Sequence, residues 1–173
     1  DIVAFTDDDC YPAADFIERI CDVFADRRVG FMGGRILLHD PRDYPLTGNE
    51  STETVRFAAG SVVPCAAVQG ANMAFRRSAL LAVRGFDPAF GAGTSFPAED
   101  WDAVARICIA GWDGGYFPAA TVSHHHGRNA VDARRQLRAY HYASGAVYAK
   151  LLLLLDTRRP FARHWARRIL GDA

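Results

Sequence analysis

The chain opens on an apolar run, Ile2–Phe5, that stops abruptly at Thr6-Asp7-Asp8-Asp9. This is the pattern of a buried strand running into an acidic turn. Pro12 suits the first turn of a helix, where its missing N–H costs nothing. Phe16, Ile17, Ile20, Val23 and Phe24 then recur at helical spacing and give that helix one apolar face. Val29–Leu38 predicts a second strand, interrupted by Gly33-Gly34, and residues 39–66 read as a long polar loop with at most one helical turn. Residues 68–75 predict a third strand. Ser78 is placed to cap a short helix through Leu80, Leu81 and Val83, which Gly85 stops. A glycine-containing loop over 86–97 leads into a helix over 98–110, closed by Gly111, and residues 115–118 and 121–126 predict two short strands. Residues 131–155 predict a long helix with Leu137, Tyr140, Ser144, Val147 and Leu151 on one face. The end, 158–168, is basic and carries Phe161 and Trp165.

Strands alternating with helices point to an α/β fold. The 173 residues, half of them apolar, are enough for one packed domain and too few for two. No repeat or low-complexity linker divides them. Net charge is zero but unevenly spread: residues 1–126 carry 10 Lys/Arg against 17 Asp/Glu, a balance of −7, and residues 127–173 carry 10 against 3, a balance of +7. An acidic body suits a cation, and a basic tail suits phosphates or an anionic membrane surface, although a solvated basic helix following an acidic domain has the same signature. Nothing in the balance predicts a nucleic-acid partner. Cys10, Cys21, Cys65 and Cys108 form no C-x-x-C pair and read as buried free thiols in a reducing, cytoplasmic compartment. The apolar run 151–155 is far shorter than the roughly 20 residues of a membrane span.

Two acidic groups carry candidate chemistry. Three adjacent carboxylates, Asp7, Asp8 and Asp9, repel one another unless a cation or solvent relieves them. In an extended turn Asp7 and Asp9 share a side, and a hard divalent ion, Mg²⁺ or Mn²⁺, would suit them while leaving positions open for phosphates. Asp residues also gather at helix starts to complement the dipole, so both readings stand for this turn. Glu99-Asp100 opens the predicted second long helix. One of the pair is placed to act as a general base, and an ordinary acidic first turn completed by Asp102 reads the same way. Among His124, His125 and His126, the first and third share a strand face and can offer one metal or phosphate contact. No G-x-G-x-x-G, P-loop or G-x-S-x-G motif occurs.

Taken in order, the blocks "DIVAFTDDDCYP", "GFMGGRI", "VQGANMAFRRSALLAVRGFDPAFGAG" and "EDWDAVARICIAGWDGGYFPAATVSHHHG" resemble the family 2 glycosyltransferases of the GT-A fold, across nearly all of residues 1–128. The resemblance implies a mixed sheet flanked by helices, with residues 129–173 as a basic helical extension. It implies an inverting transfer of sugar from a nucleotide-sugar donor to a carbohydrate or lipid-linked acceptor, of the kind that builds cell-envelope polysaccharide. Asp7 and Asp9 match the D-x-D element that holds the divalent ion, with His124 near it. Asp8 and Arg35 fall on the donor side. Gly70, Ala71, Asn72 and Trp101 fall at the sugar and acceptor pocket. Asp100 matches the catalytic base, with Glu99 beside it. Arg134, Arg135 and Arg138 lie where some members place diphosphate contacts, but Gln136-Leu-Arg-Ala-Tyr departs from their Q-x-x-R-W segment, which speaks against processive synthesis. Members carry nucleotide-binding βα units ahead of the D-x-D strand, so the resemblance makes this sequence an N-terminally truncated, partial GT-A domain with weak turnover by itself. It also places the work in the cytoplasm, at the inner membrane face if the basic tail makes peripheral contact there. The rival readings are a sugar-phosphate nucleotidyltransferase and a non-catalytic metal- or membrane-binding module.

Overall fold

A computed structural model describes residues 1–46, 48–154, 159, 161–163 and 166. Strand β1 (Ile2–Phe5) stops at the acidic turn, as its composition predicts, but it is an edge strand with Ile2 and Ala4 exposed rather than the buried strand expected. A three-residue strand, β2 (Cys10–Pro12), follows where a helix start was expected. Pro12 ends this strand, which pairs on one side only, so its missing N–H is tolerated. Helix α1 (Phe16–Phe24) begins later and buries Phe16, Ile20 and Phe24, a stripe at i, i+4, i+8. Ile17 falls off that stripe and is 63% exposed.

Strand β3 (Val29–Leu38) forms over its predicted length. Within the expected loop of 39–66, residues Val55–Phe57 form strand β4, and no helical turn occurs among the described residues of that stretch. Strand β5 (Met73–Arg76) is shorter than predicted, because residues 68–72 turn instead, with a bridge between Gln69 and Asn72. Helix α2 (Arg77–Ala82) starts one residue before Ser78, which therefore lies inside it rather than capping it. Helix α3 (Glu99–Ile109) ends at Gly111, whose N–H returns to the Cys108 carbonyl. The two short strands predicted next are one, β6 (Asp113–His124), leaving His125 and His126 outside it. Helix α4 (Ala130–Leu153) is capped by Asn129, whose side chain accepts from the N–H groups of Val131 and Asp132. It buries Ala133, Ala143, Val147 and Leu151; of the predicted face, Leu137, Tyr140 and Ser144 line an open cleft instead.

The strand order is β1-β5-β3-β6-β2, with β4 also paired to β6. β3 and β6 are parallel, and β5 runs antiparallel to both β1 and β3. β1, β3 and β6 thus point the same way, and their carboxyl ends share one edge of the sheet. Phe31, Met73 and Phe75 project to one face, against Trp101, Val104 and Ile107 of α3 and Val147 and Leu151 of α4. Met32, Ile36 and Ala74 project to the other, against Phe16, Ile20 and Phe24 of α1. Each large apolar side chain buried in these two layers contributes about 1.5–3 kcal/mol. Phe161 is buried and meets Tyr148 of α4, and Arg159 and Arg163 are exposed. Arg158, Trp165, Arg167 and Arg168 of the basic tail lie outside the described residues.

The β3–β6 ladder breaks at the glycine pair. β3 advances from Gly33 to Arg35 while β6 advances from Tyr116 to Thr121. Asn72 plugs the break. Its side-chain Nδ2 donates to the carbonyls of Arg35 and Ala120, both at 2.9 Å, and its backbone carbonyl accepts the Gly34 N–H at 3.0 Å. A Cβ on Gly34 would collide with the Ala120 carbonyl and the Asn72 amide. Gly34→Ala is therefore expected to lower stability by about 2–3 kcal/mol, read from the midpoint of urea unfolding. An unchanged midpoint would mean that Asn72 is not the pin described here.

Candidate active site

The carboxyl ends of β1 and β6, the turn before β5 and the start of α3 border one cleft of about 1090 Å³, and α4 forms its far wall. Open α/β sheets collect ligands at this edge. The acidic turn is held at the rim by backbone bonds: Cys10 N–H donates to the Asp7 carbonyl at 3.1 Å and His125 N–H to the Asp9 carbonyl at 3.0 Å. Thr6 Oγ1 donates to the Ala71 carbonyl at 2.9 Å, tying the end of β1 to the turn before β5. The β2–β6 register sets Cys10 opposite His124, and this pairing carries the imidazole to the turn.

His124 is buried, with Nε2 3.1 Å from Asp9 Oδ1 and 3.9 Å from Asp7 Oδ2. One donor atom from each of Asp7, Asp9, Cys10 and His124 fits within 4.8 Å of the others. Although the imidazole is close, Asp9 Oδ1 is buried and accepts no hydrogen bond. An orphaned buried carboxylate oxygen is costly unless something compensates it. Partial burial pushes the Asp7 carboxyl up from its ordinary range; His124 pulls against this, and the charges of Asp9 and Asp8 add to the rise. These carboxylates and the imidazole fit a hard or borderline divalent ion, which would relieve both the orphaned oxygen and the repulsion. Asp8 lines the same cleft from an exposed position.

The second acidic group is built differently. Asp100 Oδ2 accepts the Gly70 N–H at 3.0 Å and Oδ1 accepts the Trp101 N–H at 2.6 Å. Desolvation outweighs both bonds, and with the neighbouring charge of Glu99 it pushes the Asp100 carboxyl up to about 6. A carboxylate so placed exchanges protons near neutrality, as a general base must. Glu99 lines the cleft beside it. Asp102, expected to complete an acidic first turn, is instead fully buried and ion-paired to Arg106 and Lys150.

The other predicted residues divide between the cleft and its surroundings. Gly70 and Ala71 line the cleft, while Asn72 sits beneath it as the sheet's pin. Trp101 borders the cleft, but its indole reaches into the core, donating to the Val63 carbonyl at 2.9 Å and meeting Tyr148 edge-on. Arg35 turns away to the Glu50 carbonyl. Arg134, Arg135 and Arg138 are exposed and outside the cleft lining; Gln136, Leu137 and Tyr140 of the same helix line it. Two residues were overlooked. Arg128 is half-buried in the cleft, near enough to Asp7 to favour its ionised form. Tyr140 lines the cleft, and burial pushes its phenol up, with the charges of Asp100 and Asp7 adding to the rise. The i, i+4 spacing of Tyr140 and Ser144 was read only as part of one face of the long helix, with Leu137, Val147 and Leu151.

Residues 2–171 match the glycosyl transferase family group 2. A mannosyltransferase from Pyrobaculum calidifontis, solved in complex with GDP-Man and Mn²⁺, has a similar fold at a TM-score of 0.51 and 21% identity. The likeness covers 99% of this chain and 51% of that one, so the chain spans about half the length of its neighbour. No curated protein matches the chain.

Because the folded Asp100 carboxyl titrates near 6 and an unfolded Asp near 3.8, its ionisation weighs against the fold. Stability from this group is full below the unfolded value and is lost as pH rises through the folded one. Asp100→Asn is therefore expected to raise Tm relative to the parent at pH 8 and to lose that advantage at pH 4, measured by thermal melts at both values.

Proposed function

The chain belongs to the glycosyl transferase family group 2, and from that premise we propose that it transfers a sugar from a nucleoside-diphosphate donor to an acceptor hydroxyl with inversion at the anomeric carbon. The observation that carries this reading is that one cleft holds both an ion-ready acidic turn and a separate carboxylate pushed up to about 6. A mechanism of this kind needs those two tools apart, because a single group cannot both screen the leaving diphosphate and accept the acceptor's proton. The neighbour's complex with GDP-Man and Mn²⁺ supports a nucleotide-sugar donor and a divalent ion.

In this reading Asp100 accepts the proton of the acceptor hydroxyl as that oxygen bonds to the anomeric carbon. The bond from that carbon to the diphosphate oxygen breaks on the opposite face, and its electron pair leaves with the nucleoside diphosphate. The Gly70 and Trp101 N–H groups hold the Asp100 carboxylate in aim. Mn²⁺ or Mg²⁺ on Asp7, Asp9 and His124 would supply positive charge to the diphosphate when bound. Arg128 adds a fixed positive group on the same side. The wall formed by Gln136, Leu137 and Tyr140, half polar and half apolar, suits a carbohydrate or lipid-linked acceptor. No helix among the described residues is long and apolar enough to cross a membrane. The exposed Arg159 and Arg163 support peripheral contact of the tail with an anionic inner membrane face.

Release of nucleoside diphosphate from a panel of nucleotide sugars with Mn²⁺ or Mg²⁺ tests the reading. Asp9→Ala is expected to abolish metal-dependent release, and Asp100→Asn to lower it about 10²–10⁴-fold while leaving metal binding by calorimetry intact. Full rate in Asp100→Asn would remove it as the base. The parent's rate should also fall about tenfold per pH unit below 6 and level off above 7, because only ionised Asp100 accepts a proton. A flat profile from pH 5 to 8 would contradict this assignment.

A further inference from the structure

Lys150 is the single lysine of the chain; its other 19 strongly basic side chains are arginine. It projects from α4 into a junction of three elements. Its Nζ donates to Asp102 Oδ1 of α3 at 2.6 Å and to Asp87 Oδ2, at the start of the 86–97 loop, at 2.8 Å. It also lies 5.0 Å from the ring centroid of Phe90 in the same loop. Asp102 is wholly buried, and its other oxygen takes the Arg106 guanidinium at 2.7 Å. Arg106 in turn donates to the carbonyls of Val83 and Gly85, two of the three residues between α2 and the loop.

These contacts converge on the cleft. Asp102 stands two residues after Asp100 in the first turn of α3. The loop anchored by Asp87 and Phe90 goes on to line the cleft with Gly91–Ser95. Phe90 meets Phe96, and Phe96 stacks on Tyr142 of α4 at 5.5 Å, so the loop touches α4 a second time. A compact ammonium with three donors serves two carboxylates and a ring face at once, a geometry that the planar fork of arginine does not reproduce.

We infer that Lys150 is a positioning residue that locks the cleft loop and the Asp100-bearing end of α3 to helix α4, setting the geometry for the acceptor without touching substrate. The catalytic part of this inference rests on the proposed transfer reaction; the mechanical part does not.

The test is hydrogen exchange on the intact chain, with kinetics beside it, for Lys150→Met, Lys150→Arg and Asp87→Asn. Lys150→Met is expected to speed exchange in the 86–97 loop at least tenfold with β3 and β6 unchanged. Its kcat should fall at least tenfold while Mn²⁺-dependent affinity for the nucleoside diphosphate stays within twofold. Lys150→Arg should recover less than half of the loop protection. Should Lys150→Met fail to fold, Asp87→Asn severs only the loop end of the link and leaves Asp102 its two partners; it should show the same loop effect. Unchanged loop exchange in a folded variant overturns the inference whether or not the parent is active. Faster loop exchange in a chain that transfers no sugar upholds the mechanical lock and counts against the transfer reading. Faster exchange with full kcat overturns the positioning role.

Discussion

One buried amide fixes the frame on which the cleft is built. The β3–β6 ladder cannot continue through Gly33–Arg35, because the two strands advance by different numbers of residues there. The Asn72 side chain replaces the missing rungs with two bonds to strand carbonyls, and Gly34 leaves room for it. Since Asn72 immediately precedes β5, the same pin sets where the Gly70-Ala71 turn leaves the sheet. Asp100 takes its bond from Gly70, and Thr6 gives its bond to Ala71. Both acidic centres are thus referenced to one interruption in the sheet.

The three acidic positions around this frame show how environment assigns roles to one chemical group. Asp7 and Asp9 crowd each other beside an imidazole, leave an oxygen without a hydrogen bond, and so invite a cation. Asp100 is largely desolvated at the cleft wall while taking only backbone donors, so its proton affinity rises. Asp102, two residues on, is the most buried of them and is matched by two cations, which makes it an anchor. Removing one partner from such a buried pair costs far more than an exposed pair of the same length would.

Much of this order was legible in the chain and some was not. β1, β3, α1 and α3 follow from apolar periodicity and glycine stops, which are local signals. The family resemblance agrees with the match over residues 2–171 and with the mixed sheet flanked by helices. β4 was missed because its three residues gain strand geometry only by pairing with β6. β6 was divided in two because Pro118-Ala119-Ala120 looks like a break, whereas Asn72 bridges it from elsewhere in the chain. At the site, the crowding of Asp7–Asp9 could be read directly. The meanings of Asp102, Arg128 and Tyr140 could not, since each depends on a partner from a distant element. Arg134, Arg135 and Arg138 show the converse: the family resemblance put them near the diphosphate, but the helix turns them to solvent.

The loop over the cleft carries a thermodynamic consequence. Gly91, at a φ of +113° that side-chain-bearing residues rarely adopt, donates its N–H to the Phe96 carbonyl, and Thr94 Oγ1 bonds back to the Gly91 carbonyl. Residues 91–96 therefore form a small ring ordered by its own bonds. A loose segment that closes over a ligand gives up about 1–2 kcal/mol of conformational freedom for each residue it fixes. A segment ordered in advance gives up little of this, so more of its contact energy remains as affinity. That advance ordering rests on one glycine.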